Sequence, residues 1–91
     1  MSDSSTLSFV LRAKNRLKVL NILTEKKVSA QIEKETGMYK SHVSRTLKEL
    51  QSKKLIRCVN PKDRNFRFYE TTFEGKRVLK EANKILKDIK S

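Results

Sequence analysis

The chain is short of the residues that staple, break or anchor a fold. Its 91 residues include one cysteine, one proline, two glycines and no tryptophan. A lone Cys58 excludes an internal disulfide and fits a reducing compartment. The single histidine, His42, has no partners at ligand spacing, so neither a metal nor a cofactor is expected. No apolar run approaches the roughly 20 residues that a membrane-spanning helix needs. Met1 to Thr6 lacks the basic-then-apolar order of a secretory signal, so the expectation is a cytoplasmic protein with no membrane partner. There is also no nucleophile–base pair, no carboxylate pocket and no phosphate-cradling glycine loop, which argues against an enzyme. No small-molecule ligand is evident.

Negative charge is scarce as well. Lysine and arginine total 22 against 10 acidic residues, for a formal net charge of +12. Such an excess repels itself in isolation and is favourable beside a polyanion. Nucleic acid is the first candidate partner and an anionic membrane surface the second. The length suits one domain with a modest core, which a partner subunit would help to stabilise.

What is present is a run of amphipathic segments. Met1 to Ser5 reads as a flexible tail, and residues 6–91 as a single domain. Leu7, Val10, Leu11, Leu17, Leu20, Ile22 and Leu23 predict helix, broken near Lys14–Asn15. Ser29 is the expected N-cap of a second helix, Ala30 to Thr36, with Gln31 and Glu33 in its first turn. Gly37 to Tyr39 forms a turn in which glycine supplies the positive φ. A third helix follows from Lys40 to about Lys53. Its Val43, Leu47 and Leu50 line one stripe, while Lys40, Ser41, His42, Ser44, Arg45 and Lys48 line the other. A short helix, a glycine turn and a longer donor-rich helix is the layout of a helix-turn-helix.

The period then changes. Leu55 to Val59 and Phe66 to Thr71 are rich in β-branched and aromatic residues, with turn chemistry from Asn60 to Asn65 between them. This predicts a two-stranded β-hairpin with a basic tip, although alternation is too imperfect to assign its buried face. Thr72 caps the last expected helix, residues 73–90, which carries Val78, Leu79, Ala82, Ile85, Leu86 and Ile89.

Asn15 to Leu20, Gly37, Val43-Ser44-Arg45 with Leu47 and Leu50, Leu55–Ile56 and Tyr69 to Gly75 resemble small archaeal winged helix-turn-helix DNA-binding regulators. The stretch Asn60-Pro61-Lys62-Asp63-Arg64 resembles the wing of MarR-type repressors. The resemblance spans about residues 12 to 80 and implies a mainly α, α+β fold: three helices, a hairpin wing and a long C-terminal helix. Two positions depart from it. Glu33 stands where the family has a small residue, and must reach solvent or a cation. Tyr39 stands where Ser or Thr caps the recognition helix, which leaves its first amides to phosphate or water.

The resemblance places Lys40, Ser41, His42, Ser44, Arg45 and Lys48 towards a major groove. Arg45 is the expected base reader, because its fork can bond guanine O6 and N7 together. In the wing it implies that Arg64 enters the minor groove with Asp63 orienting it, while Lys62 and Arg67 meet phosphates. MarR-type wings often carry a second arginine where this chain has Asn65. Ser29, Gln31, Lys14, Arg16 and Lys54 could extend the phosphate track. Cys58 reads as a small buried hydrophobe rather than as a thiol activated by Arg57.

Leu79, Ala82, Leu86 and Ile89 have the spacing of a coiled-coil seam, and with Ile85 they form the expected homodimer interface. Two-fold symmetry would then pair with a pseudo-palindromic duplex site. Three functions follow. The first is a homodimeric, sequence-specific transcriptional repressor on double-stranded DNA. The second is a non-specific architectural or replication-associated DNA binder. The third is a winged helix used for protein contacts, as in some general transcription factors.

Overall fold

The computed structural model describes residues 4–90. Five helices and three strands follow one another: α1 (Ser4–Leu11), α2 (Lys14–Ile22), β1 (Lys27–Val28), α3 (Ser29–Thr36), α4 (Lys40–Ser52), β2 (Ile56–Cys58), β3 (Phe68–Thr71) and α5 (Phe73–Lys90). Ser4 and Ser5, expected in a tail, belong to α1; the rest of that expected tail lies outside the described residues.

The long first helix is two helices. Ala13 is extended, at φ −133° and ψ 119°, and turns the chain between them. Arg16 closes the corner: its Nη1 donates to the Phe9 carbonyl at 2.6 Å, and its guanidinium lies 3.8 Å from the centre of the Phe9 ring.

The sheet has a strand that sequence periodicity does not reveal. β1 is two residues long, too short to show alternation, and pairs antiparallel with β3 (Lys27 opposite Tyr69, Val28 opposite Phe68). β2 pairs with the other edge of β3, with Ile56 opposite Thr71 and Cys58 opposite Tyr69, so the order is β1-β3-β2. Both hairpin strands are shorter than expected. Phe66 and Arg67 lie outside β3 because Asn60 intervenes, its Oδ1 accepting the Phe68 N–H and its Nδ2 donating to the Phe66 carbonyl, each at 2.7 Å.

Ser29 is the first residue of α3 rather than its cap. Val28, still extended from β1, holds the cap position, and its N–H is satisfied by Gln31 Oε1 at 3.2 Å. Gly37 ends the helix at φ 72°, where a side chain would be strained. α5 starts where expected, with Thr72 Oγ1 accepting the Gly75 N–H at 3.0 Å.

The core gathers one face from every helix and from β2: Val10, Val19, Leu20, Leu23, Ile32, Val43, Leu47, Leu50, Leu55, Ile56, Val78, Leu79 and Ala82. Burying each larger aliphatic side chain contributes about 1.5–3 kcal/mol. Thr46, which the stripe on α4 did not include, is buried beside it. Leu79 and Ala82, expected to face a second subunit, lie in this core. They cover the chain's own α1 and α2, leaving Ile85 and Leu86 half-buried and Ile89 73% exposed.

Two contacts set how the layers sit. Arg16 of α2 forks onto Glu49 of α4, with Nη2 to Oε2 at 3.0 Å and Nε to Oε1 at 3.4 Å. Gly75 lets α5 approach the β2 entrance closely: a Cβ there would stand 2.1 Å from the Leu55 carbonyl oxygen and 2.6 Å from Thr71 Cγ2. Gly75→Ala should therefore lower stability by about 1–3 kcal/mol, although alanine is the better helix former. A melting temperature at or above that of the parent would refute this packing.

The hydrogen bond from Arg16 holds the Glu49 carboxyl below its ordinary value of 4.5, helped by the nearby charges of Arg16 and Arg45 and opposed by burial. A carboxylate depressed in the folded state stabilises above its unfolded pKa, and that contribution is lost as pH falls through the folded value. Glu49→Gln should thus destabilise at neutral pH and much less well below pH 4.5. Melting curves across pH 3–7 that stay parallel for the two proteins would contradict the linkage.

Candidate nucleic-acid interface

α4 separates its two faces cleanly. Val43, Thr46, Leu47 and Leu50 turn inward. Lys40, Ser41, Ser44, Arg45 and Lys48 are exposed, and His42 is half-buried. None of these six makes an ion pair among the described residues. The one acid on the helix, Glu49, is held by Arg16 on the side facing α2. The outward face is therefore a row of donors that carries no carboxylate of its own.

The start of α4 adds to it. Tyr39 occupies the cap position at φ −68° and ψ 150° and gives no side-chain cap. The first amides of the helix keep their partial positive charge, which favours an anion. The Tyr39 ring is 77% exposed and meets His42 edge-on, at 5.8 Å between centroids and 72° between planes. This contact positions the His42 imidazole at the lip of a hollow of about 250 Å³, whose other walls include Asn15, Arg16, Arg45 and Glu49.

The wing connects β2 to β3. Lys62, Arg64 and Arg67 are all exposed. Asp63 acts differently from what the resemblance implies. Its Oδ1 accepts the N–H groups of Asn65 and Phe66, each at 2.9 Å, and its carbonyl accepts Arg67 Nε at 2.9 Å. The Phe66 amide first, and the Asn65 amide next, hold the carboxyl below its ordinary value. Asp63 thus shapes the loop and aims Arg67, not Arg64.

Other expected contacts divide. Ser29, Gln31, Lys14 and Lys54 are exposed and remain open to phosphates. Arg16 is engaged by Glu49 and Phe9, so it braces the fold instead of extending the track. Glu33 is half-buried in a hollow that also touches Lys40, Ser44 and Tyr69, with no cation within 4.0 Å among the described residues. Cys58 is half-buried, with its Sγ 4.0 Å from Asn60 Oδ1. Arg57 is bound across the strands to Glu70 at 2.7 Å and does not serve the thiol.

Two residues of the site have roles that only the fold reveals. Asn60 was one of six turn residues, and only the fold shows that it clamps both sides of the hairpin. Phe66, whose residue type predicts strand, lies outside β3 and is 66% exposed at the wing tip.

Known structures share this architecture. The transcriptional regulator BldR from Sulfolobus solfataricus superposes with a TM-score of 0.77 over 85% of this chain, at 24% identity. The Multiple Antibiotic Resistance Repressor, MarR, gives 0.76 over 93% at 15% identity, and Lactococcus lactis ZitR gives 0.67 over 94% at 18% identity. The chain spans 57% of the BldR chain and 67% of each of the other two. At these identities the likeness establishes the winged helix-turn-helix fold. No curated protein matches by sequence. No described helix is long and apolar enough to cross a membrane. A family model for the TFIIE alpha subunit, in contrast, matches residues 6–91. The chain therefore belongs to the TFIIE alpha subunit family and carries its resemblance to MarR-type regulators in the fold.

Proposed function

We propose that the chain is a double-stranded DNA-binding transcription regulator, with α4 in the major groove and the wing at the minor groove. The observation that carries this reading is the outward face of α4: six hydrogen-bond donors, three of them fixed cations, with no acid and no internal ion pair. A helix presented this way can lie in a major groove, where base edges offer acceptors to arginine, serine and lysine. Lys62, Arg64 and Arg67 then meet the adjacent backbone and minor groove. The net charge of +12 makes binding steeply salt-dependent.

The regulator acts as a homodimer through the end of α5, where Ile85, Leu86 and Ile89 remain outside the core. Two copies set their recognition helices about 34–36 Å apart, so the duplex site is a pseudo-palindrome. Bound there, a dimer blocks other proteins from the same site, which is the action of a repressor.

A second reading draws on the family. Its name is that of a subunit, which favours a winged helix docked on another transcription protein. The two readings separate on DNA affinity at low salt, which a purely protein-binding module would lack.

Sites selected from a random duplex pool provide the test. Arg45→Ala should bind a selected site about 10- to 100-fold more weakly and lose preference at one base position in each half-site. Unchanged affinity and preference would remove α4 from the major groove. For the dimer, Ile89→Asp should convert the protein to monomer in sedimentation and abolish the preference for paired half-sites. A monomeric parent protein would refute the α5 interface.

A further inference from the structure

The wing tip holds an aromatic ring that the duplex contacts above do not use. Phe66 is 66% exposed, yet both of its backbone polar groups are tied down by side chains of its own loop. Its N–H donates to Asp63 Oδ1 at 2.9 Å, and its carbonyl accepts Asn60 Nδ2 at 2.7 Å. Asn60 is fixed in turn by the Phe68 N–H at 2.7 Å. The ring is therefore displayed from a pinned backbone, which lowers the ordering cost of any contact that it makes.

Its surroundings select the partner. Arg64 and Arg67 share with Phe66 the rim of a hollow of about 210 Å³, whose other walls are Val28, Ser29, Ala30, Asn65 and Tyr69. The one acid in the loop, Asp63, is directed at backbone amides and not at the hollow's mouth. An exposed aromatic ring that shares its hollow with two guanidinium groups is complementary to a nucleobase and its phosphates. Phe73 is more exposed still, at 80%, but it lines none of the hollows described above.

We infer that Phe66 is a base-stacking residue: the wing takes a nucleobase that has left its stack onto the Phe66 ring, while Arg64 and Arg67 hold the phosphates on either side. The base can come from a kinked step of the duplex, unstacked by the ring as a wedge, or from an unpaired strand. The inference rests on the wing meeting DNA, as proposed above. It adds that the wing reads deformability as well as charge, because flexible pyrimidine–purine steps open most easily.

The absence of tryptophan from the chain makes the test direct. Phe66→Trp introduces a single indole at an exposed site, and its emission should be quenched when a saturating duplex or a 12-nucleotide single strand is added. Phe66→Ala should weaken binding by roughly 10- to 100-fold, with circular dichroism unchanged. A 2-aminopurine placed opposite the wing distinguishes the sources. Its fluorescence rising in the duplex complex identifies a wedged step, whereas indole quenching by the single strand alone identifies an unpaired strand. Indole emission that stays constant in a complex still dependent on Arg45 would overturn base stacking and leave the proposed function standing. Failure of the parent protein to bind either DNA would overturn both.

Discussion

Thr71 and Thr72 join the helical layer to the wing, and the rest of the fold is arranged around that junction. Thr71 is 5% exposed, and its N–H and hydroxyl donate to the carbonyls of Leu23 and Leu20, at 2.8 and 2.9 Å. These carbonyls end α2, where the helix itself has no donors left to offer. The Thr72 N–H donates to Leu55 and its hydroxyl to Lys54, at 2.9 and 2.8 Å, just where the chain leaves α4 for β2. Two adjacent residues therefore fasten the end of α2, the exit of α4, the central strand and the start of α5. Leaving the buried Thr71 hydroxyl unpaired would cost about 1–3 kcal/mol, which holds this side of the junction in one geometry. That geometry fixes the angle between α4 and the hairpin.

Charge is distributed by the same economy of contacts. Glu49, Glu35, Glu70 and Glu74 are each paired with a cation inside the fold: Arg16, Lys27, Arg57 and Arg77 respectively. Surface pairs of this kind add little to stability individually. Their larger effect is on the field, since these four acids are neutralised where they stand, while Lys40, Arg45 and Lys48 of α4 and Lys62 and Arg64 of the wing are in no ion pair among the described residues.

Much of this was legible in the sequence. The stripe Val43, Leu47, Leu50 and the turn at Gly37 identified α4, and the α5 boundaries followed from Thr72 and the apolar period. What was not legible depended on partners distant in the chain. β1 has two residues, and its pairing with β3 is a property of β3 as much as of itself. Ser29 looked like a cap because nothing local shows that Val28 is already extended. Arg16 looked like a surface cation until α4 brought Glu49 to it. The seam on α5 was read whole, but Leu79 and Ala82 face the chain's own α1 and α2, a choice periodicity alone cannot make. In the wing, the residue types announced a turn without saying which side chains would hold its backbone.

The absence of slack between β3 and α5 has a mechanical consequence. β3 ends at Thr71, α5 begins at Phe73, and the single residue between them is bonded to two carbonyls. Helix and hairpin are thus one lever with its fulcrum at the Thr72 cap, and Gly75 sits against the Leu55 carbonyl too closely to slide. A torque applied at the far end of α5, near Ile89, would reach the wing as a tilt and would not be lost in a flexible hinge. The exposed end of α5 and the tilt of the hairpin are therefore mechanically coupled.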